Sequence, residues 1–224
     1  MMSTFFLGGW LKLSLIYAVL SLDQCAWGQG LVVSRPLVVA PLMGWLLGNP
    51  ALGLLVGVIA ELLWVRVIPV GEWPMDTAII GGLAIVWSLC SIKPGLESLV
   101  ISLMLSVPVG ILSRYGDIWV RRQNRWFNYW VSKNLVAGRE SILTKALGVS
   151  LLIWFVKNFV FYFVMVIVGT ALVNVALSHC PATVLRGLKL AGLAIPILAF
   201  TAVLAYFLKR EKNLFSWTIP FLRQ

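Results

Sequence analysis

This chain is poor in the side chains that carry out most chemistry. It has one histidine, His179, so no multi-histidine metal site can be assembled. That residue lies in Ser-His-Cys-Pro at an expected helix end and reads as a loop residue. Cys25, Cys90 and Cys180 are far apart and odd in number, which excludes the paired spacings of zinc and thioredoxin-like sites. No nucleophile–base pair stands out, and no catalytic residue, metal or cofactor is expected. Charged residues make up only 12% of the chain, too few for an ordinary soluble domain. What replaces them is apolar: 60% of 224 residues, in long runs. One bilayer span takes about 20 apolar residues, so roughly six or seven spans use most of the length. The expected fold is an all-α polytopic membrane protein with no separate soluble domain.

The scarce charge is uneven. Residues 1–113 hold four basic and five acidic side chains, whereas residues 114–224 hold fourteen basic against three acidic. A basic protein can be a nucleic-acid binder. In a membrane protein the simpler meaning is that basic loops mark the cytoplasmic side, and no nucleic acid is expected as a partner.

Along the chain, residues 4–22 are apolar except for Lys12. A secretory signal peptide is the rival reading, but Lys12 interrupts the run and no Ala-x-Ala-like site follows, so an uncleaved first helix is expected, ending at Asp23-Gln24. Residues 31–48 and 51–70 are apolar runs separated by the breaker Gly48-Asn49-Pro50. Asn49 should sit at the turn or cap the next helix. Gly44/Gly48 and Gly53/Gly57 have the GxxxG spacing that lets helices approach closely, either each other or a partner. Residues 77–92 are short for a span and suit a re-entrant or tilted element. Residues 96–113 follow after Lys93-Pro94-Gly95. Residues 114–146 interleave seven basic side chains with Trp119, Trp126, Phe127, Tyr129 and Trp130. They read as a cytoplasmic amphipathic helix lying on the membrane, as a lipid anchor or a docking surface. The apolar run 147–178 carries Lys157 and Asn158, and 187–208 is broken at Pro196. The chain thus divides into 1–113, a charged, interrupted region; 114–146, the basic segment; and 147–224, the C-terminal spans and tail.

Residues 31–76 carry the strongest functional signal. Their composition is that of membrane sequence, yet they contain Arg35, Glu61, Arg66, Glu72 and Asp76 together with five prolines. A charge at bilayer depth costs about 3 kcal/mol or more, so each such ion is a site hypothesis. Interrupted apolar segments also point to a transporter's binding site.

The ordered motifs Asp23-Gln24, Arg35-Pro36-Leu37, Leu47-Gly48-Asn49, Gly53-x3-Gly57-x3-Glu61, Pro69-Val70-Gly71 and Pro74-Met75-Asp76 resemble those of the IIC subunit of mannose-, fructose- and sorbose-type sugar phosphotransferase permeases. The chain departs from that pattern in a shorter loop before Asp76, in Met75 where a second proline is usual, and in an earlier stop. The resemblance implies an elevator-type permease with re-entrant elements in the bacterial cytoplasmic (inner) membrane. It implies a IID membrane subunit and soluble IIA and IIB phosphocarriers as partners, and an oligomeric assembly in the lipid bilayer. It also implies a sugar of the hexose class as substrate, with the phosphohistidine on a soluble partner.

A hexose presents hydroxyls that both donate and accept, which carboxylates and amides bind well. The expected substrate-binding residues are Glu61, Asp76, Asn49, Asp23 and Gln24. Against this, Glu61 could simply neutralise Arg66 or Arg35 at a packing interface. Two other functions compete: a non-transporting anchor that recruits phosphocarriers, and an ion-coupled transporter of another small polar solute.

Overall fold

A computed structural model of the chain describes residues 2–24, 33–63, 76–136 and 141–218. Among them every regular element is helical: α1 (Met2–Ser21), a 3₁₀ turn (Leu22–Gln24), α2 (Pro36–Leu46), α3 (Pro50–Leu63), α4 (Thr77–Leu89), α5 (Leu96–Val136), α6 (Ser141–His179) and α7 (Ala182–Thr218). Three described stretches are long and apolar enough to cross a membrane: Leu96–Asn134, Ile142–His179 and Ala182–Thr201. α2, α3 and α4 are each shorter than a span.

α1 buries Leu13, Ser14, Tyr17, Ala18 and Ser21, a stripe at helical spacing that packs on α6. α2 begins at Pro36, whose fixed φ and missing N–H suit the first helical position. It turns back on itself at Gly48, which takes φ +83°, a backbone region open mainly to glycine. Asn49 then caps α3, its Oδ1 accepting from Leu52 N–H at 3.1 Å. The returning helix lies backbone to backbone on α2. A methyl group at Gly53 would come 2.6 Å from the Ala40 carbonyl oxygen, and one at Gly57 2.8 Å from that of Pro36. Gly44 meets the Gly53 Cα in the same way, at 2.8 Å, so the glycine spacing serves this hairpin. Gly48 has no such neighbour and forms the turn.

α4 is the centre of the molecule. Its residues 78–88 are all buried, and it packs on α2, α3, α5 and α6. Thirteen residues make about 20 Å of helix, short of the roughly 30 Å hydrocarbon thickness, and protein covers it throughout. Trp87 keys it to α6: the indole N–H donates to the Met165 carbonyl at 2.9 Å, and the ring occupies the space a side chain at residue 169 would need, which is why Gly169 stands there.

α5 differs from expectation. Residues 114–136 form no separate surface helix; they continue the helix that starts at Leu96, with Pro108 accommodated inside it. The change from apolar to basic sequence at 113/114 alters what surrounds the helix and leaves its backbone bonding intact. The divisions at 113/114 and 146/147 therefore fall inside α5 and α6. α6 and α7 are likewise unbroken, joined at Cys180-Pro181, with Pro196 inside α7.

Candidate functional site

Asp76 stands at the N-terminus of α4 and is 7% exposed. Its Oδ1 accepts from Ile79 N–H at 3.2 Å, the usual N-cap bond, and from Gln24 Nε2 at 3.2 Å. Its Oδ2 accepts from the Tyr17 hydroxyl at 2.9 Å and from Ser113 Oγ at 3.5 Å. Donors from α1, the 3₁₀ turn, α4 and α5 thus converge on one carboxylate, and all four are uncharged. Gly110 on α5 allows the approach: a methyl group there would lie 2.6 Å from Ile80 Cγ1 and 3.3 Å from the Asp76 carbonyl oxygen. The Tyr17 ring stacks on Tyr162 of α6 with centroids 4.2 Å apart.

A polar seam runs from this point. Asp23, next to Gln24, accepts through Oδ2 from Val33 N–H at 2.9 Å and from Ser34 N–H and Oγ at 3.1 and 3.3 Å. Arg35 follows Ser34, and its Nη1 donates to Glu61 Oε1 at 3.0 Å. The second oxygen of Glu61, Oε2, is buried and has no hydrogen-bond partner among the described residues.

Of the five expected residues, the fold therefore joins Gln24 directly to Asp76, with Asp23 adjoining. Glu61 is reached through Arg35, as the neutralising alternative required for that pair; Arg66 and Glu72 lie outside the described residues. Asn49 is exposed and engaged in capping α3. Tyr17 and Ser113 escaped the sequence reading, because a lone Tyr or Ser in an apolar run carries no signal of its own.

A second buried polar centre lies on α5 and α6. Lys157 Nζ donates to Asp117 Oδ1, both side chains largely buried, and the ammonium sits 4.8 Å from the Trp154 ring centroid. Next to it Asn158 donates to Ser21 Oγ at 2.8 Å, and Trp154 Nε1 to the Ser21 carbonyl at 3.2 Å. The Lys157 signal, a charge inside an apolar run, was visible in the sequence; its partner forty residues earlier was not. Among the described residues no group of three or more His, Cys, Asp or Glu could hold a metal ion.

The family model for the sorbose-specific IIC component of the phosphotransferase system matches residues 10–222. The chain belongs to this family. IIC components are transport subunits, and this one is a multi-pass membrane protein whose task is carriage rather than catalysis. Two solved structures share the fold of this IIC component. One, described as a membrane protein, superposes with a TM-score of 0.67 at 21% identity, covering 95% of this chain and 86% of that one. The other, from a cryo-EM structure of the mannose transporter ManYZ in complex with microcin E492 (MceA), gives 0.60 at 22% identity with the same coverage. No curated protein matches the sequence.

Proposed function

We propose that this IIC component carries a sugar of the hexose class inward across the bacterial cytoplasmic membrane, with a IID membrane subunit, while a soluble IIB phosphocarrier charged by IIA phosphorylates it. Phosphoryl transfer occurs at the carrier's histidine; this chain presents the sugar. The observation that carries the reading is Asp76, a buried carboxylate whose hydrogen-bond donors among the described residues are all neutral. Sugar hydroxyls can take the places of Gln24 and Ser113 on its oxygens without any cation having to leave, and the freed Gln24 amide then offers a donor and an acceptor to the ligand. Asp23 fixes the backbone at 33–34 and so positions Arg35 and Glu61. Glu61 Oε2, buried and without a donor among the described residues, supplies one more acceptor for a hydroxyl. Asn49 contributes through the α2–α3 turn. The mannose transporter among the solved relatives supports a hexose and a paired membrane subunit.

The test is reconstitution in vesicles with and without a IID subunit and the soluble phosphocarriers. Sugar phosphate is expected only in the complete mixture. Accumulation of free sugar by this chain alone would favour the ion-coupled alternative. Phosphocarrier binding without any accumulation in the complete mixture would favour the anchor reading.

A further inference from the structure

The basic stretch of α5 contains a cleft of about 510 Å³ lined by Ile118, Arg121, Arg122, Asn124, Arg125 and Asn128. Residues 118, 122 and 125 are spaced four and three apart, so Arg122 and Arg125 share one stripe of the helix with Arg121 beside it, and among the described residues no carboxylate lines the cleft. Like charges at this spacing repel, and the stripe is relieved by an anion lying across it. The two asparagines add amide donors between the arginines.

The depth of the cleft identifies the anion. α6 starts its apolar run at Leu147; Ser150, one turn in, meets Asn124 Oδ1 at 3.5 Å. One turn deeper, the Trp154 ring lies 5.9 Å from the Arg121 guanidinium and helps fix its direction. The cleft therefore sits beside the start of the α6 apolar run, on the part of α5 that has already turned basic, at the level of lipid headgroups. Around it Trp119, Tyr129 and Trp130 are 57%, 71% and 46% exposed, the amphipathic aromatics that settle at a membrane interface. A soluble protein's surface would have to displace headgroups to reach this level, whereas a phospholipid already has its phosphate there.

We propose that this arginine cleft is a binding site for the phosphate of an anionic phospholipid, with the acyl chains running along the apolar faces of α5 and α6. Guanidinium forks match phosphate oxygens in paired, charge-assisted hydrogen bonds, and the asparagine amides complete the cradle. The site is separate from Asp76 and does not depend on which solute the protein carries.

The experiment is native mass spectrometry of the detergent-purified, delipidated full chain, titrated with phosphatidylglycerol, with phosphatidylcholine, and with inorganic phosphate. The wild type should retain phosphatidylglycerol and not phosphatidylcholine. Arg122→Gln with Arg125→Gln should weaken that retention about tenfold or more, the factor that 1.4 kcal/mol carries. Arg186→Gln, an exposed arginine on α7, should leave it unchanged, and circular dichroism should show equal helix content in all three proteins. Equal retention of both lipids, or loss of selectivity by Arg186→Gln as well, would overturn the proposal. So would inorganic phosphate displacing phosphatidylglycerol at equal concentration, which would mark a free-anion site. Unchanged lipid binding in the double variant, with loss of a soluble phosphocarrier's binding instead, would reassign the cleft to protein docking.

Discussion

Asp76 and Asp117 are both buried carboxylates in an apolar bundle, and they are held in opposite ways. Asp117 faces the Lys157 ammonium, a strong hydrogen-bonded partner on a neighbouring helix. Asp76 faces four uncharged donors from four elements. A cation locks a carboxylate, because withdrawing it strands a charge in low dielectric. A set of hydroxyl, amide and backbone donors satisfies the same carboxylate, but each member can be exchanged for a similar group from a ligand. One centre is thus suited to joining α5 to α6, and the other to trading partners. Glu61 stands between the two cases, with one oxygen on Arg35 and the other without a donor among the described residues.

The contrast can be broken experimentally. The largest effect is expected at the locked pair. Lys157→Met leaves Asp117 buried without its hydrogen-bonded cation and should cost about 3–5 kcal/mol. Thermal unfolding in detergent should show the loss, and Asp117→Leu added to Lys157→Met should recover most of it. If the single variant melts like the wild type, the pair is no lock.

Asp76→Asn keeps the N-cap, since asparagine caps as well as aspartate, but turns one acceptor oxygen into a donor facing other donors. The Tyr17 and Ser113 hydroxyls can turn to accept from the new amide, so the melting temperature should fall by less than in Lys157→Met, while sugar uptake by the full complex, which loses charge-assisted bonds worth about 1.5–3 kcal/mol each, should fall at least tenfold. The reverse pattern, a large drop in melting temperature with normal uptake, would make Asp76 a packing residue like Asp117.

Glu61→Gln should abolish uptake with membrane insertion intact. Arg35→Gln combined with it separates the two roles: if neutralisation is all that matters, the double variant regains uptake; if Glu61 contacts the sugar, it stays inactive. The smallest effect is expected from Asn49→Ala. Losing the α3 cap should cost about 1 kcal/mol, read as a modest shift in melting temperature, with uptake reduced only slightly.

The helices' existence was legible because breakers and apolar runs are local. Gly48-Asn49-Pro50 marked the α2–α3 turn, and the short 77–92 run anticipated α4. The expected break at residue 114 failed because it rested on a change in polarity. Hydropathy reports the solvent, and nothing in Arg114–Val136 stops a helix. At the candidate site, Glu61 and Asp76 were legible as costly charges in membrane sequence, and Asp23-Gln24 as polar side chains at the end of the first helix. Tyr17, Ser113 and the Asp117–Lys157 pair were not, since their meaning arises only when residues 37 to 59 positions apart meet.

The seating of Trp87 against Gly169 bears on how such a molecule can move. The indole is both bonded to a carbonyl of α6 and lodged where that helix lacks a side chain. Sliding α6 along its axis would break the bond and drive the ring into the side chains one turn away on the same face, Val166 or Val173. The two helices are therefore keyed together as one unit. Any displacement of α6 carries α4 with it, and Asp76, mounted on the leading end of α4, then shifts against the Tyr17, Gln24 and Ser113 donors of α1, the 3₁₀ turn and α5.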